Sequence, residues 1–171
     1  MDPLLDEKLV VSMLRNAPEF LMENFSIMAK QEAYGPSRNE GLCYESCTAI
    51  HISGDLECTL YFGLDGYTKL ELLPIIADRY IDTAEESASE TKTVSDTVLM
   101  DFYSELASSF ATELEDGGFS LTIAGKKNLN HRLVAVDLHH NREYILIFFL
   151  TEPNKKRYLG RLYVVIAARK Y

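Results

Sequence analysis

Residues 95–118, SDTVLMDFYSELASSFATELEDGG, decide the reading of this chain. At 100° per residue, Val98, Leu99, Phe102, Leu106, Phe110 and Leu114 fall on one side. Thr97, Asp101, Ser104, Glu105, Ser108, Thr112 and Glu115 fall on the other. Ser95 or Asp96 supplies a side-chain oxygen for the free backbone N–H groups at the start. Gly117-Gly118 supplies residues that accept positive φ after the last turn. The spacing predicts one amphipathic helix with a buried stripe and a wet stripe, and the wet stripe carries Glu105 and Ser108 one turn apart. Taken alone, such a polar stripe is a solvated surface.

The segments around this helix set the fold class. Asp2-Pro3 reads as a cap and first helical position. Leu4, Leu5, Leu9, Val10, Met13 and Leu14 then recur at helical spacing. Asn16-Ala17-Pro18-Glu19 repeats a start signal, so a bend or restart is expected before Phe20, Leu21 and Phe25. Residues 32–41, with Gly35-Pro36-Ser37, read as loop. Residues 42–52 and 56–62 read as two strands joined at Ser53-Gly54-Asp55. Residues 67–81 are helical by pattern, with a kink or break expected at Pro74. Residues 82–93 are acidic and rich in Ser and Thr, and read as a linker. After the main helix, strands are expected over residues 119–123, 133–138, 144–150 and 158–168. Turn signals separate them at residues 125–130, at His139-His140-Asn141 and at Pro153-Asn154. The order α, ββ, α, α, ββββ implies an α+β plan, an antiparallel sheet with long helices packed on one face. Residues 1–171 are expected to form a single domain.

Composition narrows the function classes. The chain has 171 residues, 47% hydrophobic and 25% charged, with a net charge of -9. No segment approaches the ~20 apolar residues of a membrane-spanning helix, and the start MDPLLDEKL is acidic, unlike a secretory signal. The expectation is a cytoplasmic protein without a membrane partner. From Asp82 to Asp116 the only basic residue is Lys92, whereas the last third is rich in Lys and Arg. An acidic total argues against nucleic acid as a partner, and no recognised nucleic-acid motif is present.

Other motifs dissolve on inspection. Cys43 and Cys47 sit on one predicted strand, roughly 13 Å apart along it, and could not share a tetrahedral zinc without a sharp bend. Cys58 leaves an odd number, so reduced, partly buried thiols are expected. Ala124-Gly125-Lys126-Lys127 lacks the first Gly and the final Ser or Thr of a phosphate loop and reads as a turn. His139 and His140 are adjacent on extended chain and point oppositely. His51 and His131 have no matching ligand spacing, so no metal site is expected. No GxSxG elbow is present.

The helix nevertheless has a chemical resemblance. Residues 101–114, DFYSELASSFATEL, follow an acidic linker and precede Gly-Gly and a strand. This segment resembles the active helix of the CheC/CheX chemotaxis phosphatases, relatives of the flagellar switch proteins FliM, FliN and FliY. The order of elements agrees over most of the chain. The family motif is Glu-x-x-Asn on an exposed helix face. The resemblance implies a CheC/CheX-like fold and a CheY-like response regulator as partner, whose aspartyl-phosphate is hydrolysed. The Glu pairs with the regulator's Lys near the phosphoryl group, and the Asn amide orients a water for in-line attack. The resemblance assigns the catalytic pair to Glu105 and Ser108, and the partner-binding face to Asp101, Ser104, Glu105 and Thr112. It implies no cofactor of the chain's own, Mg²⁺ being carried by the regulator, and a homodimer, for which unpaired sheet edges offer a physical route. Glu105 matches the motif; the Asn position holds Ser108, and Glu19 on the first helix is followed three residues later by Met22. Two readings stay open: a phosphatase in which Ser108 positions water with changed geometry, and a non-catalytic regulator-binding or scaffold module of the same fold.

Overall fold

The computed structural model describes residues 3–36, 46–87, 93–129 and 141–169. Among the described residues, three α-helices and six strands follow in the order α1 (Pro3–Phe25), β1 (Met28–Pro36), β2 (Ser46–Gly54), β3 (Cys58–Leu64), α2 (Gly66–Ser87), α3 (Val94–Asp116), β4 (Leu121–Asn128), β5 (Asn141–Glu152) and β6 (Arg157–Arg169), with a 3-10 turn at Pro153–Lys155. The strands form one sheet in the order β1-β5-β6-β3-β2-β4, and every neighbouring pair is antiparallel. This is the expected α+β plan.

Strand alternation sends one set of side chains toward the helices. Ile50, Leu60, Phe62, Leu146, Phe148, Leu162, Val164 and Ile166 come from that set and are fully buried. They pack with Met13 and Leu21 of α1, Leu72 and Ile76 of α2, and Phe102, Leu106 and Phe110 of α3 in one core. A smaller cluster on the opposite sheet face joins Cys47 and Leu129 to Ala49, Tyr61 and Tyr163. Cys47 and Cys58 are free and fully buried rather than partly so. Burial pushes each thiol up to about 12, which keeps both protonated and unreactive.

Several elements differ from the sequence expectation. Both interior prolines are accommodated: α1 runs through Pro18 and α2 through Pro74, with no restart. A proline removes one backbone hydrogen bond, and here buried anchors on both sides of each site hold the helix together, Met13, Ala17 and Leu21 in α1 and Leu72 and Ile76 in α2. The expected loop at residues 32–41 is strand through Pro36, because β1 pairs with β5 from Met28↔Thr151 to Pro36↔Tyr144. Pro is tolerated there because β1 is an edge strand. The supposed turn at residues 124–127 lies within β4, the other edge, whose Lys126 and Lys127 are exposed. Charged side chains of this kind discourage further pairing at an edge. The linker begins late, since α2 continues to Ser87. Cys43, His131, the strand expected at residues 133–138 and the His139-His140 pair lie outside the described residues.

Gly160 seats α2 on the sheet. Asp65 caps α2, its carboxylate accepting from the Thr68 N–H and the Thr68 hydroxyl, each at 2.8 Å. The same hydroxyl accepts from the Arg161 N–H at 3.0 Å. Thr68 is fully buried. It fits because Gly160, at φ 110°, has no Cβ; one placed there would lie 1.9 Å from the Thr68 Oγ1.

Candidate functional site

Helix α3 is clamped from two sides. Tyr103 stacks on Phe62 of β3 with ring centroids 5.3 Å apart. Phe102 packs edge-on to Phe25 of α1 at 5.7 Å. The Asn16 amide of α1 donates to the Ser109 hydroxyl at 2.8 Å, and Arg15 pairs with Glu113. The start of α3 is capped by Thr93, whose hydroxyl accepts from the Asp96 N–H at 3.1 Å, two residues before the nearest expected cap. At the other end Gly118 takes φ 102° after the last turn. The helix therefore cannot roll, and the stripe it presents is set by its neighbours.

That stripe is narrower than a wheel drawn from sequence alone. Ser108, Thr112 and Glu115 are exposed. Ser104, expected on the partner-binding face, is buried instead. Its hydroxyl turns back to the Met100 carbonyl at 2.6 Å, and Thr97 is buried likewise, donating to the Thr93 carbonyl. In both, a short hydroxyl satisfies itself on the helix backbone. Asp101 is half-buried, and its Oδ2 is enclosed without a hydrogen bond among the described residues. Burial raises its pKa, and the charge of Lys126 on β4 works against that rise. Thr112 donates to the Ser108 carbonyl at 3.0 Å. The Ser108 hydroxyl has no partner among the described residues.

Glu105 is not a free carboxylate. Arg79 of α2 grips it with two donors, Nε to Oε2 at 3.0 Å and NH2 to Oε1. The Tyr80 hydroxyl donates to Oε2. The Arg79 guanidinium lies 5.8 Å from the Phe25 ring centre and 5.9 Å from that of Tyr80, so aromatic faces on both α1 and α2 fix its place. The hydrogen bonds from Arg79, and secondarily from Tyr80, hold the Glu105 carboxyl below its ordinary value of 4.5, against the opposing effect of burial. Tyr80 is shifted upward, by burial first and by Glu105 second. Neither Arg79 nor Tyr80 stands out in the sequence: Tyr80 is one apolar position in a helical pattern, and the pairing exists only once α2 packs on α3.

A depressed folded-state value means that the unfolded chain takes up the proton first as pH falls. The stability contributed by this pair is fully present above about 4.5 and is lost as pH falls through the lower folded value. Wild type is therefore expected to exceed Glu105→Gln by up to about 1 kcal/mol at neutral pH, since the pair is partly solvated. The gap is expected to close as pH falls from neutral through the lowered folded value. Urea unfolding of both proteins across that range checks it.

Among the described residues, no group of three or more His, Cys, Asp or Glu side chains is placed to hold a metal ion, and no helix is long and apolar enough to cross a membrane. The site is thus a helix face with one oriented carboxylate, one unpartnered hydroxyl a turn away and an arginine alongside. It suits contact with another macromolecule more than enclosure of a small molecule.

The sequence matches no protein-family model and no curated protein. Solved structures do match. The CheX chemotaxis protein of Desulfovibrio desulfuricans aligns over 94% of this chain and 99% of its own, at TM-score 0.70 and 10% identity. A CheC-like superfamily protein of Shewanella sp. PV-4 aligns over 99% of this chain and 100% of its own, at TM-score 0.68 and 14% identity. CheX of Borrelia burgdorferi, solved in a CheX–CheY–BeF3–Mg complex, aligns over 95% and 98%, at TM-score 0.66 and 17% identity. At such low identity the likeness is one of architecture, and it extends over nearly the whole of each chain: this chain has the fold of the CheC/CheX/FliY family.

Proposed function

We propose that this protein docks on a CheY-like response regulator through the exposed stripe of α3 and that its phosphatase activity is weak. The observation that carries the reading is Glu105, held by Arg79 and Tyr80 at the edge of an open helix face beside Ser108. One protein of the same fold was solved together with CheY, beryllofluoride and Mg²⁺. Glu105 would meet a cation of the regulator, and the regulator would bring Mg²⁺ and the phosphoryl group. A regulator of this kind would place the protein in the cytoplasm. Homodimerisation is a separate proposal, tested by the mass in solution.

Phosphoryl transfer asks a protein mainly for positioning. An Asn at position 108 would offer one acceptor and two donors on a longer arm, whereas the Ser108 hydroxyl sits one bond closer to the backbone and has a single O–H. Hence wild type is expected to bind the regulator yet release phosphate from it only a few-fold faster than the regulator alone. Ser108→Asn is expected to raise that release by about tenfold or more, as restoring an orienting group does. Phosphate release from a phosphorylated CheY protein measures both. Rapid release by wild type would favour the phosphatase reading, with Ser108, whose hydroxyl is unpartnered among the described residues, holding the water. Absence of both binding and release in the two proteins would sink the proposal.

A further inference from the structure

Arg79 has more structure invested in it than a surface ion pair explains. Its bond to Glu105 is partly solvated, with 42% of the Arg79 side chain and 35% of the Glu105 side chain exposed. Such pairs add little to stability. Yet two aromatic rings flank the guanidinium. Nε and NH2 donate to Glu105 and Tyr80 shares the same guanidinium, whose five N–H groups exceed these bonds. Asp78 and Asp82 beside it on α2 are exposed and make no hydrogen bond or ion pair with it. The face therefore repels anions at range and offers one oriented, permanently charged donor fork at contact.

A cation approaching Glu105 must share it with Arg79 or displace it. We infer that Arg79 is a second partner-facing group of this site: docking passes Glu105 from Arg79 to a cation of the partner, and the released guanidinium takes the partner's phosphoryl oxygens. The inference rests on the docking reading above. The exchange conserves charge pairing, because Arg79–Glu105 and the partner's cation–phosphoryl pair become Glu105–cation and Arg79–phosphoryl. The planar fork suits two phosphoryl oxygens at once. The acidic surroundings make the contact selective, since an unphosphorylated acidic surface gains nothing that offsets the repulsion from Asp78 and Asp82.

The test is a titration of the protein with a CheY receiver domain in two states, Mg²⁺ alone and Mg²⁺ with beryllofluoride. Wild type is expected to prefer the beryllofluoride form. Arg79→Gln is expected to reduce that preference about tenfold, the scale of one lost charge-assisted hydrogen bond, while affinity for the Mg²⁺-only form changes less than about threefold. Arg79→Lys, which keeps the charge and loses the fork, should retain part of the preference. Circular dichroism confirms that the variants fold. A preference left intact in Arg79→Gln overturns the inference alone, and so does equal weakening of both forms, which would make Arg79 only a brace for Glu105. Wild type that binds neither form overturns the docking reading and this inference with it.

Discussion

Gly160→Ala is expected to cost about 3 kcal/mol or more of stability. Two effects add. At φ 110° an alanine is strained whatever space surrounds it. Its Cβ would also lie 1.9 Å from the Thr68 Oγ1, 2.8 Å from the Thr68 Cβ and 3.1 Å from the Thr68 Cα. Rotating the Thr68 side chain moves the oxygen but leaves its Cβ in place, so the start of α2 must lift off β6. That movement breaks the hydroxyl's bond to the Arg161 N–H and disturbs the Asp65 cap. Thr68→Ala, which loses the hydroxyl without the clash, should cost less than half as much. Urea midpoints of the two variants against wild type decide the matter. A Gly160→Ala protein within about 1 kcal/mol of wild type would show that α2 is not seated through this contact. Because α2 also carries Arg79 and Tyr80, the same variant should bind a regulator less well even where it remains folded.

This dependence of the site on α2 also marks the limit of what the sequence discloses. The existence of α3, its buried stripe and the exposure of Ser108 follow from local periodicity, and they hold. So do the β2–β3 hairpin and the strand character of β5 and β6, whose apolar alternation is local too. β1 does not follow from local pattern. Its residues Gly35 and Pro36 signal a turn, and only pairing with β5, more than a hundred positions away in the chain, makes them strand. β4 is obscured by its place at an edge, where both faces stay wet and the alternation of residues 124–128 disappears. At the site the pattern is the same. The wheel places Ser104 among the polar residues, but α3 is buried over a broader arc than its apolar stripe suggests, and a serine can enter that arc by bonding to its own backbone. The Arg79–Tyr80 brace belongs to a pairing between two helices, so no single segment announces it.

Glu105→Lys separates docking from folding. The substitution puts a second cation beside Arg79, a repulsion that costs about 1 kcal/mol or less at a partly exposed position. The protein should therefore fold. On the docking proposed above, binding to a regulator should fall about a hundredfold or more, roughly 3 kcal/mol, because the proposed attraction to the partner's cation would become a repulsion. The loss should shrink as ionic strength rises, since the contact lies at the surface. A charge-swapped double variant, Arg79→Glu with Glu105→Lys, recovers the pair between α2 and α3 and with it the stability. It leaves a cation at position 105, so binding should stay lost. Titration of a CheY receiver domain with the single and double variants, beside their urea midpoints, reads both quantities. Unchanged binding by Glu105→Lys would remove α3 from the interface. Recovery of binding by the double variant would show that the partner needs the pair intact and takes nothing from the carboxylate itself. A folded Glu105→Lys protein with lost binding would place the negative charge at position 105, on α3, as the group the partner reads.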